Sequence, residues 1–215
     1  MVIAIIAVLA GLATPAILKA KKNADKAQAI NNARQVGMAL TDFDNEYSSY
    51  PSEDTRSDLE DLDLEVPSGE DANDYLAQLI ISGKLDAEEV FYAKGVRGAK
   101  VGDNVVTPGE VLAQGENSWG YVMLEDNSAL SSSIASSITP ILVAPLISGG
   151  VEPEFDPSPY NDKMVYFKAD GSVSEATVKK DGTAALKKGR TLFDTGEGTI
   201  WERDTPDVKE PTGLN

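Results

Sequence analysis

The chain opens on eighteen uncharged, mostly apolar residues, MVIAIIAVLAGLATPAIL, and then places Lys19, Lys21 and Lys22 within four positions. As a helix this run would be about 27 Å long, close to the roughly 30 Å hydrocarbon core of a bilayer. A secretory signal peptide carries its positive charge ahead of the apolar run, whereas here the lysines come after it. Beyond them Ala20, Ala24, Ala27, Ile30, Ala33, Gly37, Leu40, Phe43 and Tyr47 recur in steps of three and four, with Lys, Asn, Gln and Arg between. That spacing predicts an amphipathic helix continuing from the apolar one. Tyr50-Pro51 predicts its end, because a residue before proline disfavours α geometry. The expectation is one helix of about fifty residues, apolar all round at first and one-sided later, with a kink at Pro15.

The pattern afterwards is shorter in range. Residues 52–74 hold ten acidic residues and one arginine, and read as a solvated loop tacked down by Leu59, Leu62 and Leu64. DANDYLAQLIISGKL predicts a short helix capped by Asp71 and stopped at Gly83. A helical turn follows near Asp86, and residues 95–118 read as loops with at most one short strand. WGYVMLED at 119–126 alternates as a strand does, and ILVAPLI at 141–147 reads as one buried strand with Pro145 near its edge. MVYFKADGSVSEATVKK predicts a hairpin with Asp170-Gly171 as a type I′ turn. A last strand is expected around Thr199–Glu202. The sum is α+β, a long N-terminal helix packed on a small antiparallel sheet.

Composition narrows what such a body can do. The net charge is −16, yet residues 1–40 carry Lys19, Lys21, Lys22, Lys26 and Arg34 against Asp25 alone. The rest of the chain is therefore strongly acidic and is not expected to bind nucleic acid, whose phosphates need clustered Lys and Arg. The chain has no Cys and no His, which removes disulfides, thiol nucleophiles, the usual neutral-pH base and the commonest transition-metal ligand. No P-loop, complete G-x-G-x-x-G, G-x-S-x-G or H-E-x-x-H motif occurs, and GVRGAKVG is glycine-spaced loop only. Catalysis is not expected.

The stretch VIAIIAVLAGLATPAILKAKKNADKAQAINNARQVGMAL, followed by TDFDNEYSSYP, resembles the N-terminal helix of type IV pilins and type II secretion pseudopilins over residues 2–51. In that family the apolar half-helix spans the inner membrane and then packs against its copies in a filament core. The resemblance implies a pilin-like α+β fold, with residues 1–26 as the transmembrane and filament-core half and 27–215 as the globular domain. It assigns assembly to Val2, Ile3, Ile5, Ile6, Val8, Leu9, Gly11, Leu12, Pro15, Ile17 and Leu18. Ala4, Ala7, Ala10, Gly11 and Ala13 would let helices approach closely, which association in lipid needs. The implied partners are copies of the chain, other pilin-like subunits, the inner membrane, an assembly platform and a prepilin peptidase. The implied location is single-pass in the inner membrane with a periplasmic body, or a cell-surface filament. The family's basic leader, its methylated Phe-type residue and its assembly glutamate do not precede Val2, so about seven mature residues and a leader are expected upstream. The positive-inside rule needs that leader too, because Lys19, Lys21 and Lys22 alone would hold the body in the cytoplasm.

One alternative and one candidate site stand beside this reading. A membrane-anchored binding module would use the acidic body to capture a peptide, glycan or cation in the periplasm or outside the cell. The major pseudopilins carry a calcium ion in a C-terminal loop, and FDPSPYND makes Asp156 and Asp162 the matching calcium candidates, no other cofactor being expected.

Overall fold

The structure, a computed structural model, describes residues 2–107, 111–133 and 135–214, with the side chains of residues 2–12 and 188 outside that description. Helix α1 runs unbroken from Val2–Tyr47 through Pro15. It ends where Ser48 takes a positive φ of 60° and the Tyr50 N–H donates to Leu130 O at 3.0 Å.

The acidic stretch after it is not all loop. Helix α2 covers Glu53–Glu60 and starts on a reciprocal cap, the Ser52 hydroxyl accepting from the Thr55 N–H at 3.2 Å while the Thr55 hydroxyl accepts from the Ser52 N–H at 2.8 Å. Glu53 and Asp54 occupy its first turn, where the helix dipole favours negative charge. Arg56 is the reason it docks. Its guanidinium pairs with Glu53, donates to Gly69 O at 2.5 Å and lies 5.7 Å from the centre of the Tyr75 ring. Of the three leucines expected to hold the stretch down, Leu59 is buried, Leu64 is half-buried and Leu62 is exposed. Ser52→Ala is expected to lower stability by about 0.5–2 kcal/mol, read as a shift in the urea midpoint.

Helix α3, Ala72–Ile81, matches its sequence signals. Asp71 caps it by accepting from the Asn73 and Asp74 N–H groups, and Gly83 follows at a φ of 71°. A 3₁₀ turn, Glu88–Phe91, comes next. Residues 95–107 and 111–118 then run as loops, and the strand allowed for there does not form among the described residues.

The strands are β1 Gly120–Leu124, β2 Pro140–Ala144, β3 Leu146–Ser148, β4 Glu154–Phe155, β5 Lys163–Lys168, β6 Val173–Val178, β7 Ala184–Ala185 and β8 Pro206–Lys209. Six form one antiparallel sheet in the order β7-β6-β5-β2-β1-β8, and β3 pairs with β4. The ILVAPLI run is therefore two strands. Pro145 has no N–H to continue a ladder, and the chain leaves the main sheet there. The last strand is β8, not Thr199–Glu202; in that segment Trp201 makes only an isolated bridge to Thr195. Trp201 instead stacks on Phe193, which stacks on Phe155 of β4, and its indole N–H donates to Leu192 O at 3.0 Å.

The β5–β6 turn also differs from expectation. A type I′ turn needs two positive φ angles, but only Gly171 (80°) has one and Asp170 does not. The same closure recurs at Asp126-Asn127-Ser128, Asp170-Gly171-Ser172 and Asp181-Gly182-Thr183. In each the aspartate accepts from both the N–H and the hydroxyl of the residue two positions on. Those donors hold all three carboxyls below the usual aspartate range. The middle residue supplies the positive φ.

Register puts Tyr121, Leu142 and Phe167 in one row across β1, β2 and β5. Paired residues share a face of the sheet, and the helices cover this one. Tyr121 meets Tyr75 of α3 with ring centres 6.0 Å apart and donates to Pro51 O at 2.8 Å, while Phe167 lies against Gly37 of α1. Here the fold is α+β, a long helix across an antiparallel sheet.

Candidate assembly helix

The part of α1 that buries side chains against the body starts at Asp25 among the described residues. From there Asp25, Ala29, Asn32, Ala33, Val36, Gly37, Leu40 and Phe43 are buried in steps of one, three and four. The predicted stripe holds from Ala33 onward, with Ile30 half-buried, but Ala20, Ala24 and Ala27 are exposed. Alanine is a weak marker of a buried face, and an aspartate takes the position that the pattern assigns to an apolar residue.

Polar contacts make that register possible. The Lys94 ammonium lies 3.4 Å from the Asp25 carboxylate. Burial, with the charge of Asp25 adding to it, pushes the neighbouring Tyr160 phenol up above the ordinary tyrosine range. The Asn32 side chain donates to Tyr92 O at 2.8 Å, tying α1 to the end of the 3₁₀ turn. Lys26 pairs with Glu175 of β6 at 2.8 Å. Farther up, Asn161 donates to the Asn23 side-chain oxygen at 2.8 Å and to Lys19 O at 3.3 Å. These docking residues carry no motif. Their partners lie between 60 and 149 positions away in the chain, and no local pattern links them.

The contacts thin out above Lys19. Residues 13–20 are exposed, including Ala13, Pro15 and Ala16, with Ile17 at 64% and Leu18 at 54% of full exposure. The other predicted assembly residues, Val2, Ile3, Ile5, Ile6, Val8, Leu9, Gly11 and Leu12, have side chains outside the described residues. Among the described residues no helix is long and apolar enough to cross a membrane.

Asp156 and Asp162 sit at the two ends of the turn before β5. Asp156 is half-buried and accepts from the Ser158 N–H at 2.8 Å. Asp162 is exposed with a φ of 60°, and its backbone carbonyl accepts from Val178. The three carboxylates that do converge among the described residues are elsewhere, on Glu88, Asp103 and Glu116. A shallow groove of about 800 Å³ lies beside β4 and β7, where Glu152, Glu154, Asp181 and Asp194 face Arg190.

No family model, no curated protein and no solved structure matches this chain.

Proposed function

We propose that this chain is a structural subunit of a type IV pilus-like or type II secretion pseudopilus filament, assembling through the front of α1. The observation that carries the reading is one helix with two environments. From Lys19 it is tied to its own body, and ahead of that it holds out exposed apolar residues, Ile17 and Leu18 foremost. A soluble domain gains nothing by extending an apolar helix end into water, where each buried CH₂ would be worth about 0.8 kcal/mol. Lipid before assembly, and sister helices after it, are the surroundings that relieve the exposure.

The resemblance over residues 2–51 supplies the kind of filament, and with it the inner membrane, the assembly platform and the peptidase as partners. The α+β body and its long docked helix are compatible with this reading. Its acidic surface would face the periplasm or the medium, while the lysines at 19, 21 and 22 lie where anionic headgroups would contact them.

The test is the double substitution Ile17→Asp with Leu18→Asp in cells that carry the whole assembly system. Both side chains are exposed in the subunit, so its melting temperature should stay within about 1 °C of wild type because surface changes rarely matter. Sedimentable filament should disappear, because two charges would be placed in an apolar seam. Wild-type filament yield would reject the reading.

The acidic groove beside β4 favours one second reading, a membrane-anchored module that captures a cationic peptide or glycan. A chain lacking residues 1–22 separates the two, because a binder keeps its ligand and a filament subunit loses polymerisation.

A further inference from the structure

The structure assigns a divalent-cation site of the calcium class to Glu88, Asp103 and Glu116. Each offers a carboxylate oxygen, and the three oxygens lie within 4.8 Å of one another. Three oxygens no more than 4.8 Å apart lie at most about 2.8 Å from a common centre, within a few tenths of an ångström of the calcium–oxygen distance of about 2.3–2.6 Å. Magnesium, at about 2.0–2.1 Å with stricter geometry, would require the loop to contract.

Proximity of acids alone would be ordinary in so acidic a chain. What sets this group apart is Glu88, whose side chain opens the 3₁₀ turn at 1% exposure. Its Oε2 accepts from the Asn104 N–H at 2.6 Å, but its Oε1 is buried with no hydrogen-bond partner. A buried carboxylate oxygen without a donor costs several kcal/mol unless a cation or a proton answers it. Among the described residues no lysine or arginine forms an ion pair with any of the three acids.

The surrounding backbone positions the carboxylates. Glu116 accepts from the Ala113 N–H at 2.9 Å through Oε2 and from the Asp103 N–H at 3.3 Å through Oε1. Asp103 accepts from the Val105 N–H at 2.9 Å, and the Glu88 N–H donates back to the Asn104 side chain at 3.0 Å. Gly102 crosses directly over Glu88, where an added Cβ would sit 2.3 Å from Glu88 Cβ. The loop can close on the acids only with glycine there. Glu88 and Glu116 are buried and Asp103 is exposed, which gives an ion its way in from solvent. Carboxylate oxygens select hard cations, and a chain without Cys or His offers no thiolate or imidazole to compete.

The competing arrangement is a protonated Glu88. Burial raises its pKa, with the charges of Glu116 and Asp103 adding to that. The two differ in what calcium does. Full-length chain stripped with EGTA should bind Tb³⁺ and give luminescence sensitised by Trp119, whose indole N–H donates to Val90 O at 3.4 Å, two residues beyond Glu88. Calcium should displace the terbium and raise the melting temperature by about 3–6 °C at ten times its Kd.

Glu88→Gln should abolish both responses while matching or exceeding the wild-type melting temperature in EGTA, because it removes an unpaired buried charge. Asp103→Asn, an exposed change that leaves the fold intact, should weaken calcium binding at least tenfold. Asp58→Asn, an exposed acid of α2 outside the group, should leave it unchanged. No terbium signal and no thermal shift in 10 mM calcium would overturn the assignment. So would a response of wild-type size in both Glu88→Gln and Asp103→Asn.

Discussion

Phe167→Ala is expected to cost about 3–5 kcal/mol, measured as a loss of unfolding free energy in urea with an unchanged slope. The ring is 1% exposed and sits in the row Tyr121–Leu142–Phe167, at the point where α1 crosses β5. Helix and strand approach so closely there that position 37 holds no side chain. A Cβ on Gly37 would lie 2.1 Å from Phe167 Cε2. Removing the ring therefore empties the contact from the sheet side, and α1 has no side chain to fall into the space. The reciprocal change, Gly37→Ala, is also expected to destabilise. Alanine gains about 1 kcal/mol of helix propensity, but overpacking costs roughly 1–3 kcal/mol and the clash is with a ring buried in the core. In the Phe167→Ala background Gly37→Ala should become neutral or stabilising, because the clash has gone. A double-mutant cycle with additive effects would disprove the contact.

Asn73→Asp should be as damaging by a different route. Asn73, near the start of α3, is buried and ties the helix to two distant segments, 112–117 and Thr212. Its side-chain N–H₂ donates to Leu112 O at 2.9 Å and Ala113 O at 3.1 Å, while its oxygen accepts from the Thr212 N–H at 3.1 Å and Asn117 Nδ2 at 3.3 Å. Aspartate keeps the shape but turns a donor into a charged acceptor facing two carbonyls. A loss of about 3–5 kcal/mol at pH 7 follows from an uncompensated buried charge. The pH dependence separates this from simple misfit. Burial and the carbonyls would raise the new carboxyl above its unfolded pKa of about 3.9, and a raised acid loses stability as pH climbs through its folded value. The deficit relative to wild type should therefore shrink as the pH is lowered from 7 toward 5. A deficit constant over that range would mean that the charge is not the cause. Asn73→Ala, which unpairs the two carbonyls and also the Thr212 N–H and Asn117 Nδ2 but adds no charge, should show a pH-independent loss.

Both sites show which features the chain displays locally and which it does not. α1 as a continuous helix, α3 between Asp71 and Gly83, β1 and the β5–β6 hairpin can be read directly, because cap, period and turn residues lie within one or two turns of each other. α2 had its signal too, a serine followed by two acids, yet ten carboxylates in 23 residues outweighed it; Arg56 on Gly69 and Tyr75 reverses that balance. β8 was out of reach, since four residues beginning with Pro206 become a strand only because β1 has an open edge beside them.

The candidate site divides the same way. That the front of α1 is apolar on all sides is written in residues 2–18, and the lipid or sister-helix surroundings proposed for it rest on that pattern. Where the helix leaves its own body is not. Asp25 is buried and Ala24 exposed because Lys94 and Tyr160 come from elsewhere in the chain to meet one face. Glu88, Asp103 and Glu116, spread over 29 residues of sequence, converge only when Gly102 lets the chain fold back over Glu88. Periodicity and capping act over a few residues and are fixed by the order of side chains alone, whereas convergence of distant charges depends on the path the whole chain takes.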